Sequence, residues 1–235
     1  MLCKISDLIV EIPNAGGLAP RCRDYLTDSS GNADIVIREE LYNMTKGKGL
    51  PKELVIYLES GFQFYRELLF YNGMMLHASA VALDGRSYLF SGPCGMGKST
   101  HTRLWQQLFG DAAQVFNDDK PALRRLDGHW YAYGTPWCGK DGININMKVP
   151  LAGICFLRRG DHNEIRRLSV QEATANVISQ TLRRFRDAEK LDMMLSHVEK
   201  LVQEIPVYEF FNKPELAAAQ LSYDTMRRGA EEGCL

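Results

Sequence analysis

The sequence has no apolar run as long as the roughly 18 residues that a membrane-spanning helix needs. Residues 1–13 contain a single lysine and no cleavable apolar segment, so we expect no signal peptide and a cytoplasmic protein. The formal net charge of −1 gives no electrostatic attraction towards nucleic acids or acidic membranes. We therefore expect neither a nucleic acid nor a membrane as a partner.

The cysteines form neither a C-x-x-C pair nor the spacing of a metal site. They stand at positions 3, 22, 94, 138, 155 and 234. Free thiols in a reducing compartment are the expectation for such a set.

Length and composition fit a globular α/β protein. The 235 residues suffice for one α/β domain or a domain with a small companion, and a hydrophobic content of 45% provides a core. We divide the chain into a strand/helix extension over residues 1–74 and a core over residues 75–235. Within the extension, residues 8–12 and 35–37 predict strands, and residues 53–71 predict a helix that ends at Asn72-Gly73.

The most informative stretch is the pattern G-x-x-x-x-G-K-S, which runs from Gly92 to Ser99. Such a loop binds nucleotide phosphates: its glycines bring backbone N–H groups close to phosphate oxygens, its lysine reaches the β- and γ-phosphates, and its serine binds Mg²⁺. The residues predicted to bind the nucleotide are Gly92, Pro93, Cys94, Gly95, Met96, Gly97, Lys98, Ser99 and Thr100.

An ordinary glycine-rich turn is the alternative, and the flanking sequence argues against it. Residues 87–90 predict a strand before the loop, and residues 100–109 predict a helix after it that ends at Gly110. A phosphate-binding loop needs both neighbours, because the positive end of the helix attracts the anion.

A hairpin brings a histidine towards this loop. Two β-prone runs flank Asp84-Gly85, and a two-residue turn there makes the numbers of paired positions sum to 169. His77 then lies opposite Gly92, beside the predicted phosphate site. A structural histidine at the end of a strand is the equal alternative.

Two adjacent carboxylates, Asp118 and Asp119, follow a predicted strand at residues 112–116. Strand, helix and strand in this order predict a parallel crossover whose carboxyl ends meet at one sheet edge. One carboxylate can hold Mg²⁺ and the other can accept a proton from a hydroxyl. We assign the metal to Asp118 with Ser99 and the proton to Asp119; the reverse assignment and a solvated Asp-Asp turn stay open.

A second hairpin turns at Asp127-Gly128, with pairs that sum to 255. This register places Asp119 opposite Pro136 and folds the loop of residues 134–140 over the acidic pair. Lys140 in this loop is a candidate to bind substrate, and a solvated lysine is the alternative.

The rest of the chain predicts strands and helices without further site residues. Strands are expected at residues 151–157, 165–168 and 207–211, and helices at 170–186, 189–204 and from 214 onwards. Ser169 and Glu172 form a capping-box pattern. The basic cluster Arg183, Arg184 and Arg186 indicates a solvated face more than an arginine finger.

The histidine hairpin, the loop Ser91–Thr100 and the acidic pair together resemble the HPr kinase/phosphorylase family, which is related in fold to phosphoenolpyruvate carboxykinase. The resemblance is close over residues 75–125 and extends elsewhere only to the order of elements. It implies an α/β fold with a P-loop-containing mixed sheet of the HPr kinase/PEP carboxykinase-like type and a small N-terminal α+β extension. The N-terminal segment is shorter than that of the HPr enzymes, so the chain looks most like the shorter relatives that phosphorylate free serine or peptides.

The resemblance implies an ATP- and Mg²⁺-dependent phosphotransferase that acts on a serine-type hydroxyl of a protein, peptide or free serine. Lys98 and Ser99 would bind phosphate and metal, Asp118 and Asp119 would act on the acceptor hydroxyl or the metal, and His77 would assist. Alternatives are a nucleotide-binding regulator without turnover and a carboxykinase-like enzyme acting on a small acid. A homo-oligomer is possible in each case.

Overall fold

The computed structural model describes residues 1–14, 16–29, 31–39, 49–182, 185 and 187–232. It is a mixed α/β structure. The strands are β1 Leu2–Ile5, β2 Leu8–Glu11, β3 Ile35–Val36, β4 Gly73–Met75, β5 Ala78–Leu83, β6 Arg86–Ser91, β7 Gln114–Asp119, β8 Ala122–Leu126, β9 His129–Tyr133, β10 Lys148–Arg159, β11 Glu164–Arg167 and β12 Val207–Asn212. The α-helices are α1 Lys52–Glu67, α2 Lys98–Phe109, α3 Val170–Gln180, α4 Ala188–Glu204 and α5 Leu216–Glu232.

The N-terminal segment forms a small sheet in the order β1-β2-β3. The strands predicted near residues 8–12 and 35–37 are present, whereas β1 was not predicted. It pairs with β2 through a tight turn in which Ser6 and Asp7 both have positive φ, 53° and 60°. This turn lacks glycine, so the sequence gives little signal for it.

The large sheet is mixed and curled. Its strand order is β4-β8-β9-β10-β6-β5-β7, with β12 added to β10 and β11 to β12. The long strand β10 changes partners along its length: Lys148–Pro150 pair with β9, and Ile154–Arg159 pair with β12. Its pairing with β6 carries an irregularity between Leu151 and Gly153.

Both predicted hairpin registers are confirmed. Ala78 pairs with Ser91, and Leu83 pairs with Arg86, so the paired numbers sum to 169. Ala122 pairs with Tyr133 in the second hairpin, which gives the sum 255. At each turn the Asp and the Gly both have positive φ (52° and 71°, then 48° and 83°), as a type I′ turn requires.

Strand β7 is parallel to β6, as predicted, but it is longer than predicted. It runs to Asp119, so the acidic pair forms its last residues and does not follow it. It also does not neighbour β6: β5 lies between them and is antiparallel to both. Strands β6 and β7 are therefore parallel to each other but one strand apart.

Three hydrophobic clusters support the sheet. One cluster joins the N-terminal sheet to α1 and to Tyr133 and Trp137, so the first part of the chain packs directly on the β8–β9 region. Helix α1 continues as a 3₁₀ helix over Leu68–Tyr71 and ends at Asn72, as predicted. The capping box of Ser169 and Glu172 is present at the start of α3.

Two predictions include residues that lie outside the described ranges. The described cysteines are free, as expected, and Cys234 lies outside the described residues. The basic cluster Arg183, Arg184 and Arg186 also lies outside them. Among the described helices, none combines the length and apolarity needed to cross a membrane.

Candidate functional site

The glycine-rich loop connects the end of β6 to the start of α2. Gly92, Gly95 and Gly97 have φ values of 140°, 77° and 95°, which L-residues with side chains rarely adopt. A Cβ on Gly92 would also lie 3.3 Å from the backbone oxygen of Leu157. The sequence therefore needs glycine at these positions to fold this loop.

The loop presents the positive end of α2. Gly97 precedes the helix, no side chain of the described residues caps its first N–H groups, and its first turn has no acidic residue. Free N–H groups and the helix dipole favour an anion at this point. Lys98 Nζ lies beside the same loop, where it donates to the carbonyl oxygens of Gly92 (2.9 Å) and Pro93 (3.2 Å).

The sheet register aligns the loop with the acidic pair. Ala78 of β5 pairs with Ser91 on one side and with Asp119 on the other. The three residues thus form one row across the sheet, and the glycine-rich loop begins directly after this row. Ser91 Oγ also donates to the backbone oxygen of His77 (2.8 Å), which fixes the residue before the row.

The carboxylate of Asp119 is the centre of a charged cluster. His77 Nε2 lies 3.3 Å from Oδ1, while Lys120 Nζ contacts Oδ2 and Tyr57 Oη lies 3.5 Å from Oδ2. Burial raises the pKa of Asp119, but the hydrogen bond from His77 and the charge of Lys120 outweigh it and lower the pKa to about 2. Asp119 is therefore ionised at neutral pH.

Asp118 differs from its neighbour. Its side chain is 8% exposed, and within the described residues its carboxylate has no hydrogen bond or ion pair. Its backbone is held on both sides, because its N–H donates to Ile143 O (3.3 Å) and its carbonyl oxygen accepts from Gly139 N (3.2 Å). The pair thus consists of Asp119, an ionised carboxylate in contact with Lys120 and His77, and Asp118, whose carboxylate has no protein partner in the described part of the chain.

Asn117 fixes the strand end that carries both carboxylates. Its side chain is fully buried, and its Oδ1 accepts hydrogen bonds from the backbone N–H groups of Asp119 (3.3 Å) and Lys120 (2.9 Å). Its Nδ2 donates to the backbone oxygen of Thr135 (3.0 Å). Asn117 is a positioning residue for the acidic pair.

The segment after β9 folds over the acidic pair, as predicted. The β8–β9 ladder ends at Ala122–Tyr133, however, so the predicted pairing of Asp119 with Pro136 is not formed by the described strands. Gly139 packs on the strand end, because an added Cβ there would lie 2.6 Å from Asp118 O. Trp137, fully buried, anchors the segment: it stacks on Phe64 at 4.7 Å.

The cation beside Asp119 is Lys120, not Lys140. Lys140 is exposed, and in the described part of the chain it makes no hydrogen bond or ion pair. Lys120 directly follows the acidic pair, and this adjacency was the signal available in the sequence. Its stem also lies against Tyr57, with Nζ 5.2 Å from the ring centre.

Two further residues were not predicted at the site, because they come from distant segments. Tyr57 of α1 donates to Cys138 O (2.7 Å), and Arg21 of the 3₁₀ helix Pro20–Tyr25 donates to the same oxygen (2.7 Å). The Arg21 guanidinium lies 4.8 Å from the Tyr57 ring centre. No local pattern signals such contacts, since they depend on tertiary packing.

Electrostatics links the loop to the acidic pair. Burial lowers the pKa of Lys98, and the nearby charges of Asp119, Cys94 and Asp118 act in the opposite direction. The Lys98 ammonium therefore interacts electrostatically with both carboxylates. The structure brings His77, Lys98, Asp118 and Asp119 to one region.

No cluster of three or more His, Cys, Asp or Glu side chains within the described ranges could hold a metal alone. Mg²⁺ in phosphoryl-transfer sites is held by one or two carboxylates together with substrate phosphates. The unpartnered Asp118 carboxylate and the Ser99 hydroxyl fit this donor set.

The family model described as "SynChlorMet cassette protein ScmC" matches residues 51–212, which is more than half of the chain. The chain belongs to the ScmC family. The matched range contains the glycine-rich loop, His77 and the acidic pair, whereas Arg21 lies outside it. No curated protein matches this ScmC-family chain.

Among solved structures, this ScmC-family chain is similar to the Hpr(Ser) kinase/phosphatase from Coxiella burnetii. The sequence identity is 13%, the TM-score is 0.38, and the similarity covers 67% of this chain and 90% of that chain.

Proposed function

We propose that this ScmC-family protein is an ATP-dependent kinase that transfers the γ-phosphoryl group to a serine-type hydroxyl of a protein, a peptide or free serine. The observation that carries the proposal is the row Ser91–Ala78–Asp119. This row sets a glycine-rich loop at the N-terminus of α2 beside two adjacent carboxylates: the half-buried, ionised Asp119 and the buried Asp118, which has no side-chain partner among the described residues.

The donor nucleotide binds through the loop of residues 92–100. The N–H groups at the start of α2 donate to phosphate oxygens, and Lys98 turns from its carbonyl partners towards the β- and γ-phosphates. Phosphoryl transfer has a loose, highly anionic transition state, so positioning and positive charge supply most of the catalysis. Lys98 and the helix N-terminus provide that charge.

Ser99 and Asp118 are the residues that would hold Mg²⁺. The ion, when bound, neutralises charge on the phosphate oxygens. Asp118 suits this role better than Asp119, because the Asp119 carboxylate already contacts Lys120 and His77 while the Asp118 carboxylate has no ion pair in the described chain.

Asp119 orients the acceptor hydroxyl and takes its proton. The hydroxyl oxygen forms the bond to the γ-phosphorus, its proton passes to the Asp119 carboxylate, and the bond to the β,γ-bridging oxygen breaks with its electron pair retained by ADP. A carboxylate with a pKa of about 2 is a weak base. This suffices in a loose transition state, where the proton leaves late.

The test is incubation of the protein with γ-labelled ATP and Mg²⁺ against free serine, a pool of serine peptides and HPr. We expect label in one of these acceptors and none with Lys98→Ala. A nucleotide-binding regulator would bind ATP and label none of them, and that result would overturn the proposal.

A further inference from the structure

A cleft of about 370 Å³ adjoins the glycine-rich loop on the side of β10 and β12. Its lining includes Gly95 and Gly97 of the loop and Arg159 and Asn212 at the ends of the two strands. The volume lies within the usual range for small-molecule sites, about 300–1,000 Å³. His77, Asp118 and Asp119 are not among the lining residues, so a ligand here leaves the acceptor side open.

The walls of this cleft suit a planar, largely apolar group. Met96, Leu104 and Pro214 contribute apolar surface from the loop, from α2 and from the segment after β12. The side of the cleft towards the loop is tied to β10, because Arg159 Nη2 donates to Gly95 O (3.2 Å). A ligand held by the loop through its phosphates can therefore extend a ring into this cleft.

The orientation of the Asn212 amide follows from its partners. Its nitrogen donates to the carbonyl oxygens of Arg158 (3.2 Å) and Phe210 (3.4 Å). Carbonyl oxygens only accept hydrogen bonds, so the NH₂ group must face them and Oδ1 must face away. In the described part of the chain Oδ1 has no donor, which leaves an acceptor at the edge of the cleft.

We propose that this cleft binds the nucleoside part of the donor nucleotide and that Asn212 Oδ1 accepts a hydrogen bond from a 6-amino group on its base. The inference rests on the proposed function, since it takes the phosphates to lie in the loop of residues 92–100. It adds where the base binds and which atom selects it: an adenine nucleotide is preferred over guanine or hypoxanthine nucleotides, whose 6-oxo group would face Oδ1 with a second acceptor.

The first test compares the affinities of the wild-type protein for ATP, ITP and inorganic tripolyphosphate with Mg²⁺ present. ATP and ITP differ at position 6 of the base. If Asn212 Oδ1 accepts from the 6-amino group, the protein should bind ATP at least roughly tenfold more tightly than ITP. Equal affinities for ATP and ITP would overturn the role of Asn212. Equal affinities for ATP and tripolyphosphate would overturn the cleft itself.

A pair of variants tests the cleft without touching the loop. Pro214 is exposed at its rim, so Pro214→Trp fills the cleft with little risk to folding. We expect it to weaken ATP about tenfold or more and to leave tripolyphosphate unchanged. Leu216→Trp, which is also exposed but does not line the cleft, is the matched control and should change neither. Unchanged ATP affinity in Pro214→Trp contradicts the inference.

The variant Asn212→Ala distinguishes recognition of the base by Asn212 from a structural effect of removing its side chain. A lost base contact removes the preference for ATP over ITP, whereas a merely structural effect weakens both nucleotides equally and would refute the assignment. If the wild-type protein bound none of the three phosphates, the proposed function itself would fail. If it bound all three alike, only this inference would fail.

Discussion

His77 Nε2 lies 3.3 Å from Asp119 Oδ1, and the register of β5 against β7 produces this contact. Because Ala78 pairs with Asp119, the residue before it projects from the same sheet edge as the acidic pair. On its other side His77 Nδ1 lies 3.1 Å from Gln180 Oε1 at the end of α3. The imidazole is thus held between a helix end and the carboxylate that we assign as the proton acceptor.

The depressed pKa of Asp119 predicts a specific dependence of stability on pH. A carboxyl with a pKa of about 2 in the folded state and 3.8 as its ordinary value contributes stability that is complete above pH 3.8 and is lost as the pH falls towards 2. The contribution is about 2 kcal/mol. Urea unfolding of wild type and Asp119→Asn should show a difference that is largest near neutral pH and shrinks in this acidic window.

The control for this titration is Asp111→Asn, at an exposed position, which should unfold like wild type at each pH. A difference between wild type and Asp119→Asn that stays constant down to the lowest pH would show that the carboxylate is not stabilised as described.

Separate replacement of Lys120 and of Lys140 shows which of the two cations supports phosphoryl transfer. Lys120 contacts Asp119 directly, so Lys120→Met should slow phosphoryl transfer by about tenfold or more, because a positive charge beside the reacting groups is lost. Lys140 is exposed, and Lys140→Met should leave the rate nearly unchanged. The measurement is the transfer rate with the acceptor that takes the label. A larger loss of rate in Lys140→Met than in Lys120→Met would contradict the assignment to Lys120.

Gly139→Ala tests the packing of the covering segment on Asp118. The added Cβ would approach Asp118 O to 2.6 Å, so the segment must move, at a cost of roughly 1–3 kcal/mol in the free energy of unfolding. At Gly17 the nearest atom to an added Cβ is 3.9 Å away, and Gly17→Ala should change stability by no more than about 0.5 kcal/mol. Equal effects in urea unfolding would contradict the close approach at Gly139.

Trp137 should contribute strongly to stability. Its ring is fully buried, stacks on Phe64 and donates to Ser60 Oγ (3.0 Å). Trp137→Ala should therefore lower the free energy of unfolding by about 3–5 kcal/mol, and Trp137→Phe by less, because most of the apolar contact remains. A loss of under about 1 kcal/mol in Trp137→Ala would show that the segment is anchored elsewhere.

Local chemistry explains what was predictable from the sequence. The turns at Asp84-Gly85 and Asp127-Gly128 fixed both hairpin registers, since the two residues of each turn adopt positive φ. The pattern of glycines likewise predicted a loop between a strand and α2. These features depend on a few adjacent residues, so no knowledge of the tertiary structure was needed.

Tertiary packing explains what was not predictable. The insertion of β5 between β6 and β7 is a choice among strand orders that the same local signals allow. Tyr57 and Arg21 reach the site because α1 and the N-terminal sheet share a core with Trp137, and their own neighbours in sequence carry no sign of it. Lys120 was visible beside the acidic pair, but only the structure shows its contact with Asp119.

The most direct test of the proposed kinase measures Mg²⁺-ATP binding and transfer of the γ-phosphoryl group in Asp119→Asn. The loop of residues 92–100 is intact in this variant, so we expect nucleotide affinity close to that of wild type and a transfer rate lower by roughly 10²-fold or more. Transfer at the wild-type rate would contradict the account, because Asp119 could then not be the group that receives the proton.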